Sequence, residues 1–277
     1  LVFEIVDNEV KEMRVSDEDF ASYFLKAVGD YSDTSNAIEE GRLKEKMDDI
    51  TVFATAEMID GMAITADVSN EDDIVRVIEE TETQIGPIDL FCSNAGVGMG
   101  PDLNSPNSHW QISWDINVMS HLYAARHLVP RMVARGGGYF LNTASAAGLL
   151  NQIGLAAYGV TKHAAVGFGE WLAIHHKHEG IKVSMLCPQA VRTAMTAGDN
   201  DPTTAASHDG MMEPEEMVET VVEELRKETF MILPHPVVLE YMHNKVSNYD
   251  RWIGGMNKLM RKITGIGSLK NPVQAEV

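Results

Sequence analysis

A tyrosine and a lysine stand four residues apart in Tyr158-Gly-Val-Thr-Lys162. On a helix this spacing places both side chains on one face. An ammonium beside a phenol favours the phenolate and lowers its pKa. A free phenol titrates near ~10 and is a poor base at neutral pH, so such a shift is what acid–base catalysis needs. The plain alternative is a Tyr and a Lys side by side on a solvated helix face, and the spacing alone does not separate the two. A second candidate is Ser145, which ends Asn142-Thr-Ala-Ser145 just after the apolar run 139–143. A hydroxyl at the carboxyl end of a parallel strand sits where open α/β sheets bind ligands. Ser145 precedes Tyr158 by 13 residues, so a short loop can bring hydroxyl and phenol over one substrate oxygen. The alternative is a serine that caps a strand end. No Gly-x-Ser-x-Gly elbow is present, which weighs against a serine hydrolase. The third segment is Ser93-Asn94-Ala95-Gly96, after a run at 88–92. Its small residues let a flat ligand approach the backbone, or simply make a tight turn.

These groups need a scaffold, and the sequence alternates strand and helix signals from residue 62. Strands are expected at Met62–Ala66, Ile88–Cys92, Tyr139–Thr143, Ile181–Cys187 and Thr229–Leu233. Ser69-Asn-Glu-Asp72 opens a helix carrying Ile74, Val77, Ile78, Thr81 and Ile85, which Gly86-Pro87 ends. Further helices are expected through Trp110–Val129, over 156–179, from Pro214 to about Glu228, and along the tail through Trp252 and Leu259. Strands alternating with long helices point to a parallel sheet covered on both faces. The polar stretch Thr196–Met212, with Met195, Met211 and Met212, is expected to form part of a substrate lid.

The chain has 277 residues, enough for one α/β domain. It holds 41 acidic against 22 basic residues, net −19. That balance disfavours nucleic acid and anionic membrane surfaces. Residues 1–60 carry 16 acids and 6 bases and differ in composition from the rest. No apolar run approaches the ~20 residues of a membrane span. The chain begins at Leu1 without a signal-like leader, as expected of a fragment or processed product in the cytoplasm. Cys92 and Cys187 sit in apolar runs and read as buried thiols of a reducing compartment. His175-His176-Lys-His178 cannot aim all its rings at one point, so no metal site is expected.

The order Asp67-Val68, Asn94-Ala95-Gly96, Asn117, Ser145, Tyr158-x-x-x-Lys162 and Pro188-x-x-Val191-x-Thr193 resembles the short-chain dehydrogenase/reductase family over residues 62–235. The resemblance implies a Rossmann-type, doubly wound α/β fold and an oxidoreductase that interconverts a secondary alcohol and a ketone with NAD or NADP. It implies that Tyr158 is the general acid/base and that Ser145 holds the substrate oxygen. Lys162 would lower the tyrosine pKa and bond the nicotinamide ribose. Asn117 would anchor a water for a proton relay. On the cofactor side it assigns Asp67 and Val68 to the adenine. Asn94, Ala95 and Gly96 would run along the adenine ribose, and Pro188, Val191 and Thr193 would hold the carboxamide. A homodimer or homotetramer, built on the small-residue helix 156–174, is implied as well.

Two departures stand out. Gln189 occupies a position where many members have Gly. More seriously, nothing in residues 1–61 matches the glycine-rich turn that opens the family's first βαβ unit and meets the pyrophosphate. That unit is expected to be lacking or replaced. Residues 1–61 then form an acidic segment of uncertain origin, followed by the short-chain dehydrogenase-like domain 62–277. The missing turn motivates a second reading, a catalytically silent dinucleotide-fold protein that acts by association. An epimerase or dehydratase ranks last, because little room remains after residue 190 for a sugar-nucleotide domain.

Overall fold

The computed structural model describes residues 2–3, 62, 64–193, 196 and 209–266. The acidic segment, apart from residues 2–3, therefore lies outside the described residues, as do Met195 and most of the expected lid.

The described residues form a five-stranded sheet with strands in sequence order. They are β1 (Val2–Phe3), β2 (Leu90–Ser93), β3 (Gly138–Thr143), β4 (Ile181–Leu186) and β5 (Met231–Ile232). β2 to β5 run parallel, with Leu90 opposite Tyr139 and Phe140 opposite Val183. β1 pairs antiparallel on the outer edge of β2. The helices are α1 (Glu71–Gln84), α2 (Asn107–Trp114), α3 (Ser120–Ala134), α4 (Ala147–Leu150), α5 (Ala156–His176), α6 (Pro214–Arg226), α7 (Val237–Ser247) and α8 (Tyr249–Ile263).

The period-2 alternation of a strand decides which helix covers which face. On β3, Tyr139 and Leu141 face α6, where they pack with Met217, Val218, Val221 and Val222. Phe140 faces the other side, among Leu128 and Met132 of α3 and Val166 and Leu172 of α5. Both faces of β3 are thus covered, and its continuous apolar run follows from that. α1 lays Ile74 and Ile78 into the second of these layers. Its start is fixed by Asn70, whose side chain accepts a hydrogen bond from the Asp72 N–H.

Two expectations are corrected. The strand expected at Met62–Ala66 is not found among the described residues: 62 and 64–66 carry no ladder. A strand without a hydrogen-bonded neighbour is only an extended segment. The tail is also two helices, not one. Asn248 leaves helical geometry at φ −160° and its side chain caps α8 by accepting from the Arg251 N–H.

Candidate active site

The helix expected through Trp110–Val129 is interrupted at the site. Residues Asp115–Met119 form a single π-helical stretch between α2 and α3. Such a bulge rotates the residues within it relative to an α-helix, a device frequent at functional sites. Here it carries Asn117, which is fully buried. Asn117 Oδ1 accepts from the Val97 N–H at 2.8 Å, and Nδ2 donates to Val97 O and Thr161 Oγ1, each at 3.0 Å. The side chain therefore ties the loop after β2 to α5.

Tyr158 and Lys162 lie on consecutive turns of α5, with Lys162 Nζ 5.7 Å from the centre of the Tyr158 ring. Nζ donates to Thr143 O at the end of β3, at 3.1 Å. Gly96 makes room for that ammonium: a Cβ there would lie 3.0 Å from Lys162 Nζ and 3.3 Å from Asn117 Oδ1. Ser145, in the turn between β3 and α4, accepts from the Ala147 N–H at 3.1 Å. Its single hydroxyl proton has two acceptors, Pro188 O at 3.4 Å and the Tyr158 oxygen.

The electrostatics differ from the expectation drawn from spacing. Burial pushes the Tyr158 phenol above its ordinary value, and the hydrogen bond with Ser145 pulls only partly against it. Burial also lowers Lys162 to about 8. Desolvation thus outweighs the Ser145 hydrogen bond, and Tyr158 stands at neutral pH as a proton donor. His121, on α3, is buried with neither ring nitrogen partnered. Burial, with a smaller contribution from Lys162, lowers its pKa to about 3, so no second cation sits beside the lysine.

A cavity of about 760 Å³ opens at the carboxyl ends of the parallel strands. Asn94, Gly96, Ser145, Tyr158, Lys162, Pro188, Val191 and Thr193 all line it, so eight of the residues singled out from sequence meet at one place. Asn117 acts from behind that wall. Asp67, Val68 and Ala95 do not line the cavity. Asp67 instead accepts from the N–H and hydroxyl of Ser69, at 2.9 and 2.6 Å, in the turn that precedes α1. Val68 packs with Val97, Met99 and Ile116.

A further part of the lining was not assigned from sequence beyond the expected helical tail. It consists of Tyr241 on α7 and Arg251, Trp252, Met256 and Leu259 on α8. Gln189 also belongs there: its Nε2 donates to Asp209 at 3.1 Å, and Asp209 takes a second bond from the Tyr241 hydroxyl at 2.9 Å. The one available signal was the helical spacing of Trp252, Met256 and Leu259.

The residues fit a nicotinamide. A glycine floor that a Cβ would fill, the buried and unpartnered Thr143 hydroxyl, and the Pro188–Thr193 segment border one concave wall. The histidines of α5 are held locally, His175 by Trp171 O at 2.8 Å and His176 by Glu179 at 2.5 Å. Among the described residues no helix is long and apolar enough to cross a membrane.

The family model for short chain dehydrogenase matches residues 37–204, beginning upstream of the motifs at 62. Human epidermal retinol dehydrogenase 2 is 32% identical over 184 residues, which cover 65% of this chain and 59% of the relative. Acetoacetyl-CoA reductase of Allochromatium vinosum is 34% identical over 147 residues, covering 53% of this chain and 60% of that protein. The chain thus spans about three fifths of the length of the curated relatives it matches. A Burkholderia phymatum short chain dehydrogenase/reductase solved in complex with NAD superposes with a TM-score of 0.61 at 25% identity, over 75% of this chain and 82% of that one. A Streptomyces avermitilis short-chain dehydrogenase superposes with a TM-score of 0.63 at 22% identity, over 88% and 94%. With its motifs in order, its parallel sheet and a family match over 37–204, the chain belongs to the short-chain dehydrogenase family.

Proposed function

We propose that the chain interconverts a ketone and a secondary alcohol with NAD or NADP. The observation that carries this reading is the convergence of Ser145, Tyr158 and Lys162 on one cavity at the strand ends. The relatives named above as a dehydrogenase and a reductase support it. When bound, NAD(P)H supplies the hydride. The chain's own residues handle oxygen and proton. Ser145 turns its hydroxyl from Pro188 O to the carbonyl oxygen and stabilises the charge that develops there. Tyr158, kept protonated by burial, gives its proton to that oxygen. Lys162 stays cationic below about pH 8 and offers its remaining donors to the ribose. Asn117 fixes the backbone that shapes the pocket and anchors the relay water. Asn94, Ala95, Gly96, Pro188, Val191 and Thr193 hold the cofactor, with Asp67 and Val68 toward its adenine end.

Val160, Trp171 and Ile174 are exposed on α5 and give the proposed homodimer or homotetramer an apolar face to bury. The free thiols Cys92 and Cys187 support a cytoplasmic setting.

Titrating the purified chain with NADH and NADPH separates this reading from the silent one. Saturable binding of at least one, competed by its oxidised form, is expected. Absence of binding by both up to millimolar concentration would leave the chain as a dinucleotide-fold protein that acts by association.

A further inference from the structure

The part of the cavity lining that α7 and α8 supply has a chemistry of its own. Trp252, Met256 and Leu259 are its apolar members, and Leu150, Leu155 and Met217 add apolar lining elsewhere in the cavity. Among the described residues three charged side chains line the cavity: Lys162, Asp209 and Arg251. Lys162 lies deep, where it donates to Thr143 O and has its remaining donors assigned to the cofactor ribose. Asp209 has one oxygen on the Tyr241 hydroxyl and the other on Gln189 Nε2. Tyr241 is pushed up to about 12 by burial and by Asp209, so it remains a donor to that carboxylate.

Arg251 is different. It stands in the first turn of α8, exposed at the cavity mouth, and its backbone N–H is the only part of it that the helix cap uses. Its guanidinium has no ion-pair or hydrogen-bond partner among the described residues. A guanidinium offers five N–H donors in a planar fork that matches a carboxylate or phosphate bidentately. The rest of α8 repeats the sign, with Lys258, Arg261 and Lys262 against the single acid Asp250. In a chain of net −19, an anion is attracted only where such a local excess of cations meets it.

We propose that Arg251 is a specificity residue. It pairs with an anionic group, carboxylate or phosphate, on a substrate whose apolar body lies along Trp252, Met256 and Leu259. The assignment rests on the oxidoreductase reading for the site, because it places the carbonyl or hydroxyl of the same molecule at Tyr158. It narrows the substrate class to oxo and hydroxy compounds with an apolar chain and an anionic end. Asp209 works with it as a discriminating element, since a substrate carrying a second anion near the Gln189 side meets a carboxylate there.

The test needs neither cofactor nor turnover. Decanoate, decyl phosphate and decanamide are titrated calorimetrically into the full chain and into Arg251→Gln and Arg251→Lys, with the circular dichroism of each variant recorded. At least one of the two anions is expected to bind about tenfold more tightly than the neutral amide, and which one wins identifies the headgroup. Arg251→Gln is expected to erase that preference while leaving decanamide unchanged, and Arg251→Lys to retain part of it. Equal binding of all three ligands by the wild-type chain overturns the proposal. So does an Arg251→Gln variant that still prefers the anion. Because the readout involves no NAD(P)H, failure here leaves the oxidoreductase reading standing, whereas failure to bind either nucleotide leaves this result untouched.

Discussion

Tyr158→Phe is expected to lower ketone reduction by about 10²–10⁴-fold, the usual contribution of a positioned proton donor. The substitution keeps the ring that lies 5.7 Å from Lys162 Nζ and removes one oxygen. The loss should therefore fall on kcat, with the melting temperature and nucleotide affinity close to wild type. A variant that retains turnover would remove Tyr158 from the proton-transfer step. The pH dependence carries the same information. The protonated phenol is the active form in reduction, so activity is present below its pKa and lost as pH rises through it. Because burial holds that pKa above the ordinary ~10, loss is expected only in strongly alkaline solution. An earlier, smaller step near pH 8 belongs to Lys162.

The second large effect is structural and lands on the same residues. Gly148→Ala is expected to lower the melting temperature by roughly 2–10 °C, from an overpacking cost of about 1–3 kcal/mol. α4 crosses α5 at this glycine with almost no gap. A Cβ would lie 2.5 Å from the Lys162 carbonyl oxygen and 2.9 Å from its carbon. Both obstacles are backbone, so no side chain can swing away, and the helices must separate. Ser145 on one side of α4 and Lys162 on α5 then move apart, and reduction should fall along with stability. Gly167→Ala on α5 is the control. A Cβ there meets nothing within 4 Å, and an alanine in a helix interior is worth up to about 1 kcal/mol over glycine. Thermal melts of the two variants side by side check the argument.

Much of the site was legible because its residues sit at the ends of strongly patterned elements. Ser145 follows the apolar run of β3, and Tyr158 and Lys162 ride one face of α5, so strand-end placement and helical spacing located them. Ionisation was not legible in the same way. Spacing shows that a cation is near a phenol; it does not show how much water both have lost, and here desolvation decides the direction for Tyr158 and Lys162 alike. The π-helical stretch at Asn117 was also invisible, because its apolar pattern still reads as an uninterrupted helix. The strand expected at Met62–Ala66 failed for a related reason. A strand exists only against a partner, and the partner is set by topology. The substrate wall depended on where α8 docks, and the break at Asn248 that sets its direction looks in sequence like one more polar residue on an exposed helix.

The central claim is that the chain moves a hydride to a carbonyl carbon while Tyr158 protonates its oxygen. Following the label from NADH and NADPH deuterated at the transferable C4 position into 9-oxodecanoate tests it most directly. One deuterium on the carbinol carbon of the product, formed by the wild-type chain and not by Tyr158→Phe, is the expected outcome. A carbinol formed without deuterium, or a reduced cofactor left unconsumed at saturating ketone, would contradict it.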